Sequence, residues 1–244
     1  MLRIFFLLLL SSTLIFGCTS SSNDESTTEE ETVPTETMAS TEESEWMMLF
    51  DGSSMEAWRN YQSDSAAWQV EDGALKTTGG SGDLITRETF GNFELEFDWR
   101  ISEGGNSGVI YLVQESDEYN STYETGPEYQ LLDDESYGTI HNAQLEKSQL
   151  SGANYALDEP QNAQVKPIGE YNQGKIIVNE GHVEHWLNGQ KVVEYDLWTD
   201  EWNARVAETK FKDMPGYGQF KEGHIALQDH SDPVWFKNIR IRPL

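Results

Sequence analysis

Apolar and polar side chains alternate without a break over residues 92–101. Phe93, Leu95, Phe97, Trp99 and Ile101 fall on one side; Asn92, Glu94, Glu96, Asp98 and Arg100 fall on the other. A period of two sustained over that length predicts a half-buried strand. Residues 109–114 and 128–133 read as further strands, and residues 175–180, 182–188 and 191–197 as a meander. Its turns fall at Gly181 and at Asn188-Gly189, the latter suited to the positive φ angles of a tight hairpin. Residues 224–228 and 234–242 predict the closing strands. In the last of these Val234 and Phe236 have one parity, Ile239 and Ile241 the other, so a bulge is expected near Lys237-Asn238.

No long segment carries helical periodicity, and turn residues recur throughout. Many short strands in about 200 residues predict an all-β chain, a sandwich or jelly roll of two antiparallel sheets. There is no internal repeat and no composition boundary after Trp46, so residues 46–244 form a single domain.

The first 45 residues follow another pattern. Residues 1–18 hold one charge, Arg3, ahead of the apolar run 4–10 and the segment Leu14-Ile15-Phe16-Gly17-Cys18. A charged start, a short apolar stretch and a small residue before the cut describe a secretory signal, too short for a membrane span. Ile15-Phe16-Gly17-Cys18 resembles the bacterial lipobox, which implies lipidation of Cys18; the plainer alternative is an ordinary signal peptide with an incidental cysteine. Residues 19–45 hold thirteen Ser or Thr, nine acids and no base, a composition that cannot bury enough surface to order itself. They read as a solvated tether. By analogy the chain is expected in a bacterial envelope, at the outer membrane, touching it only through the Cys18 lipid.

Charge then narrows the ligand class. The whole chain carries −27, from 43 acids against 16 bases. Such a surface repels phosphate backbones, so no nucleic-acid partner is expected and a neutral ligand suits it. Cys18 is the one cysteine, which excludes a disulfide framework and a Cys-based metal cluster.

Several segments, taken together and in order, resemble one family. They are Leu49-Phe50-Asp51-Gly52 with Trp58, residues 68–73 (WQVEDG), Gly105-Asn106-Ser107-Gly108-Val109, residues 127–133 (PEYQLLD) and Ser151-Gly152-Ala153-Asn154-Tyr155. Then follow residues 184–189 (EHWLNG), Lys210-Phe211-Lys212, residues 223–230 (GHIALQDH) and Trp235-Phe236-Lys237-Asn238-Ile239. The chain is similar to the 3-keto-disaccharide hydrolases, also described as 3-keto-glucoside 1,2-lyases and 3-keto-2-hydroxy-glucal hydratases. The resemblance spans residues 46–244. It implies a concanavalin A-like jelly roll acting on a small carbohydrate, a disaccharide or glucoside already oxidised at carbon 3, with a functional link to a sugar 3-dehydrogenase. Asn154 and Ser231 depart from the pattern, standing where an aliphatic residue and a glycine are usual.

A conventional glycosidase needs two carboxylates, ~5–5.5 Å apart for retention and ~6.5–9.5 Å for inversion. Within residues 128–133, however, one face carries Glu128, Gln130 and Leu132, and an amide is neither acid nor base. A 3-keto sugar relaxes the requirement. Its carbonyl acidifies the proton on carbon 2, so one base starts an elimination that a cation assists and water later reverses. On that reasoning Glu128, Gln130, His141 and Lys210 are the candidate catalytic residues. Arg100, Asn106, Ser107, Tyr155, Trp186, Gln228 and His230 are candidate sugar contacts. The cofactor requirement stays open: one divalent ion held by Glu128, Asp133 and His141 would serve as electrophile, although their spacing is no compact metal motif. Asp133-Asp134-Glu135 could instead hold a structural calcium, but reads first as a charged turn. His185 shares a face with Val183 and Leu187 and reads as a satisfied core histidine, His182 and His224 as edge residues. A non-catalytic carbohydrate-binding module and a direct two-carboxylate glycosidase remain the alternatives.

Overall fold

In the computed structural model, which describes residues 45–244, the alternation at residues 92–101 becomes strand β6, Phe93–Ile101. Five short strands precede it: β1 (Met47–Phe50), β2 (Trp58–Asn60), β3 (Gln69–Glu71), β4 (Ala74–Thr77) and β5 (Leu84–Thr86). After it come β7 (Asn106–Val113), β8 (Glu128–Leu132), β9 (Asn172–Asn179), β10 (His182–Leu187), β11 (Gln190–Asp196), β12 (His224–Leu227) and β13 (Val234–Pro243). One sheet has the order β11-β10-β9-β6-β13-β4-β3, with β1 also on β13; the other runs β2-β5-β12-β7-β8. Every pairing is antiparallel. The result is the expected jelly-roll sandwich.

The inner faces of the two sheets supply the core. Phe93, Leu95, Phe97, Trp99 and Ile101 of β6 meet Val109, Tyr111, Tyr129 and Leu131 of the opposite sheet, and Phe97 packs edge-on to Tyr129 at 5.5 Å between centroids. Burying aromatic rings of this size dominates the apolar gain. One polar link crosses the core. His185 Nδ1 lies 3.1 Å from the Gly152 carbonyl, so this nitrogen donates and Nε2 accepts from the Tyr111 hydroxyl at 2.8 Å. Tyr195 in turn donates to Tyr111. His185 is fully buried, as its parity predicts, and burial pushes its pKa down to about 4.

The parity change in β13 resolves as anticipated. Its register on β6 slips between Lys237 and Arg240, and Asn238 takes a φ of +51°. Two features were not visible in the periodicity. Strands β1 to β5 are three or four residues each, too short to display alternation. A two-turn helix, α2 (Asp200–Ala207), also forms; a shorter one, α1, spans Tyr137–Ile140. Helix α2 is set by its start: Thr199 Oγ1 accepts from Trp202 N at 3.0 Å, and Asp200 and Glu201 complement the N-terminal end of the dipole. Trp202 and Val206, four apart, bury its one apolar stripe.

The leader with Cys18 and the acidic tether lie outside the described residues. Among the described residues no helix is long and apolar enough to cross a membrane.

Candidate active site

Register builds the site out of distant segments. Arg59, Ile85, Ala226, Ile110 and Glu128 are successive partners across the five-stranded sheet. Ile85, Ala226 and Ile110 form a small apolar cluster with Val113 and Tyr61, separate from the main core. Glu128 therefore ends an apolar row on the sheet's outer face. In the adjacent row, the Gln228 amide donates to Gly108 O at 2.9 Å and Gly108 pairs with Gln130. Gly108 is required by space: a Cβ there would sit 2.2 Å from Glu128 Oε1, so the carboxyl lies directly over that backbone. Gln130 Nε2 donates to Asn106 Oδ1 at 2.9 Å.

Two other segments wall the pocket. Residues 150–156 run along the free edge of β8, with Tyr155 N bonded to Glu128 O at 3.0 Å, which places the Tyr155 ring beside the carboxyl. Opposite, helix α2 leads into the 3-10 turn Lys210–Asp213, whose Phe211 amide donates to Thr209 Oγ1 at 3.2 Å. That turn rests on a column of stacked rings, Tyr195 on Trp202 on Tyr217 on Phe211. Lys210 Nζ lies 4.1 Å from the centre of the Tyr155 ring. The cavity holds about 170 Å³ and is lined by Asn106, Tyr123, Glu128, Gln130, Tyr155, Lys210, Phe211, Gln228 and His230.

Its electrostatics follow from that geometry. Glu128 is 6% exposed, and burial pushes its pKa up to about 8, against the pull of the Lys210 cation and a hydrogen bond from Gln228. Asp83 adds a further upward push. The carboxyl is thus proton-loaded at neutral pH and one step from being a strong base. Gln228 Oε1 and Asn154 Oδ1 are buried without a partner; the first belongs to a pocket-lining side chain and suits a sugar hydroxyl. Two larger clefts of about 480 Å³, one lined by Asp158, Lys191 and Val192 and one by Glu103, Asp134 and Ile168, do not include Glu128. Volume alone does not mark the chemistry here.

Residues 45–242 match the 3-keto-alpha-glucoside-1,2-lyase-like domain. The chain belongs to that family. A 3-keto-disaccharide hydrolase of Bacteroides thetaiotaomicron is 38% identical over 232 residues, 82% of this chain and 78% of that protein. A crystallised candidate glycosyl hydrolase from Parabacteroides distasonis is 38% identical with a TM-score of 0.77, covering 82% of this chain and 94% of its own. A second from that organism is 27% identical with a TM-score of 0.63, covering 82% and 100%.

Within this lyase-like domain, the pocket gathers Glu128, Gln130, Lys210, Asn106, Tyr155, Gln228 and His230 from the residues singled out in the sequence. The others lie elsewhere. Ser107 has the opposite strand parity and is fully buried, its Oγ donating to Gln228 O at 2.8 Å. Arg100 sits between Trp235 and Tyr171, at 4.1 and 5.1 Å, on the eight-stranded sheet. It does not pair with Asp98, which accepts from Asn238. Trp186 of β10 donates to Glu184. His141 donates from Nε2 to Gly104 O at 2.7 Å and packs at a tilt against the Tyr137 ring, 4.4 Å between centres. Asp133 spends its oxygens on the amides of Gly104, Glu135 and Ser136. The trio Glu128, Asp133 and His141 is therefore not assembled. The one His and carboxylate cluster with metal-like spacing among the described residues is His182, Glu184 and Glu194, where Lys191 already bridges both glutamates. Tyr123, Phe211 and Gly108 complete the site without having been selected from the sequence. Tyr123 rides a loop with no periodicity, whereas Gly108 was visible as a small residue two positions from Asn106. Ser231 has φ +73°, the conformation that explains a glycine as the usual residue there.

Proposed function

We propose that this domain hydrolyses 3-keto glycosides by elimination and rehydration, with Glu128 as the single base. The observation that carries the reading is a pocket lined by one carboxylate and one lysine. A two-carboxylate mechanism has no second acid on that lining. The Glu128 carboxylate takes the proton from carbon 2, and the electron pair delocalises onto the carbon 3 oxygen, where the Lys210 cation stabilises the developing charge. The bond between carbon 1 and the glycosidic oxygen then breaks; the departing oxygen takes a proton, and a double bond forms between carbons 1 and 2. Water adds at carbon 1 as hydroxide, its other proton replacing the one the departing oxygen took, and Glu128, its proton by then exchanged with solvent, protonates carbon 2 and regenerates the ketone. A pKa of about 8 suits a group that both accepts and returns a proton near neutral pH. The name and 38% identity of the Bacteroides relative support the substrate class.

Glu128→Gln should abolish turnover of a 3-keto glucoside, and wild type should leave the unoxidised parent intact. In deuterated water the product should carry deuterium at carbon 2. Cleavage of the plain glycoside, or a product without that label, defeats the reading. The substrate ketone requires an enzyme that oxidises carbon 3, and Cys18 with its acidic tether supports placing the domain in the bacterial envelope. Cys18→Ser should then shift the protein from the membrane to the soluble fraction.

A further inference from the structure

Asp83 contributes no atom to the pocket lining, yet two of its walls, the Tyr123 turn and the Gln228–His230 segment, are hydrogen-bonded to it. It directly precedes β5, and Gln228 directly follows β12; these strands pair at Leu84 and Leu227. Asp83, Gln228, Gly108 and Gln130 thus occupy consecutive strands in one row of the face that carries Glu128. The Asp83 carboxylate is used on both sides. Oδ2 accepts from Thr122 Oγ1 at 2.5 Å, fixing the 3-10 turn Thr122–Glu124 and with it Tyr123. Oδ1 accepts from Asp229 N at 2.8 Å, fixing the segment between Gln228 and His230. Asp229 is committed in turn to the amides of Ser81, Gly82 and Ser231.

We propose that Asp83 is a positioning residue of this active site, a charged latch that joins the Tyr123 loop to the Gln228–His230 segment and faces Glu128 across Gly108. The proposal rests on the function argued above, but adds a residue outside its chemistry. The charged and titratable groups around Glu128 are Lys210 from the 3-10 turn, Asp83 from the start of β5 and the Tyr217 hydroxyl behind the wall, with Tyr123, Tyr155 and His230 on the lining. Those around Asp83 are Asp229 and His230, and Tyr61 from β2's end. Burial raises Asp83, while Thr122 and the Asp229 amide pull it down. As a carboxylate it opposes a second negative charge on Glu128.

Two variants separate latch from charge. Asp83→Asn keeps the shape and removes the charge, so the Glu128 titration should move to lower pH. That midpoint is read from the carboxyl carbon resonance in protein labelled with 13C-glutamate, and again from kcat/KM against pH. Thr122→Val keeps the charge and removes one hydrogen bond to the loop. It should raise KM for a 3-keto glucoside about tenfold, the equivalent of one hydrogen bond to a charged group, and, because Thr122 also holds Asp83 down, move the Glu128 midpoint less than Asp83→Asn does. Asp83→Glu, which restores the charge, should restore the midpoint. A folded Asp83→Asn protein whose Glu128 midpoint matches wild type overturns the proposal. Should that variant fail to fold, an unchanged KM in Thr122→Val overturns it alone. The resonance needs no turnover, so a wild type inert toward keto sugars would sink the functional reading while leaving this titration decisive for Asp83.

Discussion

An alanine at position 108 would place its Cβ 2.2 Å from Glu128 Oε1 and 2.8 Å from Cδ. Gly108 does not have a positive φ, so the backbone accepts alanine and the carboxyl must move instead. Displacing a base by about an ångström costs on the order of 100-fold in rate. Gly108→Ala should therefore fold, shift Tm by only a few degrees, and lose about that factor in kcat/KM on a 3-keto glucoside. Lys210 acts on the same carboxyl through charge. Its cation lowers the Glu128 pKa against burial, so Lys210→Met should push the midpoint of the kcat/KM profile above 8. It should also cost roughly 100-fold in kcat through the lost enolate stabilisation. A profile whose rising limb stays at the wild-type pH would remove Lys210 from the site's electrostatics.

Helix α2 and the 3-10 turn beyond it deliver Lys210 and Phe211 to a pocket otherwise built from strands. Because the helix has only eight residues, its stability depends on the Thr199 cap and the ring column. Thr199→Ala should cost about 1 kcal/mol, seen as a fall of roughly 2–4 °C in Tm, and should lower kcat as the Lys210 turn loosens. The strands were readable because each long one obeys a period of two with one face buried, and even the β13 bulge showed itself as a parity break. Glu128 and Gln130 were readable for the same reason, lying two apart on β8. Another part of the site depends on a row across four strands, and positions 83, 108, 130 and 228 have no sequence spacing that joins them. Only register does. Arg100 and Trp186 misled because alternation identifies a polar face but not which of two sheets the ligand uses. His141 and Asp133 lie in the loop after β8, where their hydrogen bonds are taken up by Gly104 of the β6–β7 turn and by Glu135 and Ser136.

For the molecule as a whole, two buried groups tilt the pH dependence of stability in opposite directions. Burial raises Glu128 from 4.5 to about 8 and lowers His185 from 6.5 to about 4. Between pH 4.5 and 8 the unfolded chain releases a glutamate proton that the folded chain retains, so folding stability falls as pH rises through that window. Between pH 6.5 and 4 the unfolded chain takes up a histidine proton that folded His185 refuses, so stability falls as pH drops. At ~1.4 kcal/mol per pKa unit, the Glu128 penalty reaches at most about 5 kcal/mol above pH 8, and the His185 loss about 3 kcal/mol below pH 4. Glu128→Gln removes the first and leaves the second. Subtracting wild type from variant cancels the groups not coupled to Glu128, including Asp134, which burial raises, and Glu115, which the Arg59 hydrogen bond lowers. The variant should be inactive yet more stable at pH 9, by several degrees and at most roughly 10–20 °C in Tm. The gap should close steadily and vanish near pH 4. Thermal unfolding of both proteins in matched buffers from pH 4 to 9 measures it. A gap that does not change with pH would mean that Glu128 ionises as readily folded as unfolded, and an unperturbed carboxylate would be too weak a base for the elimination assigned to it.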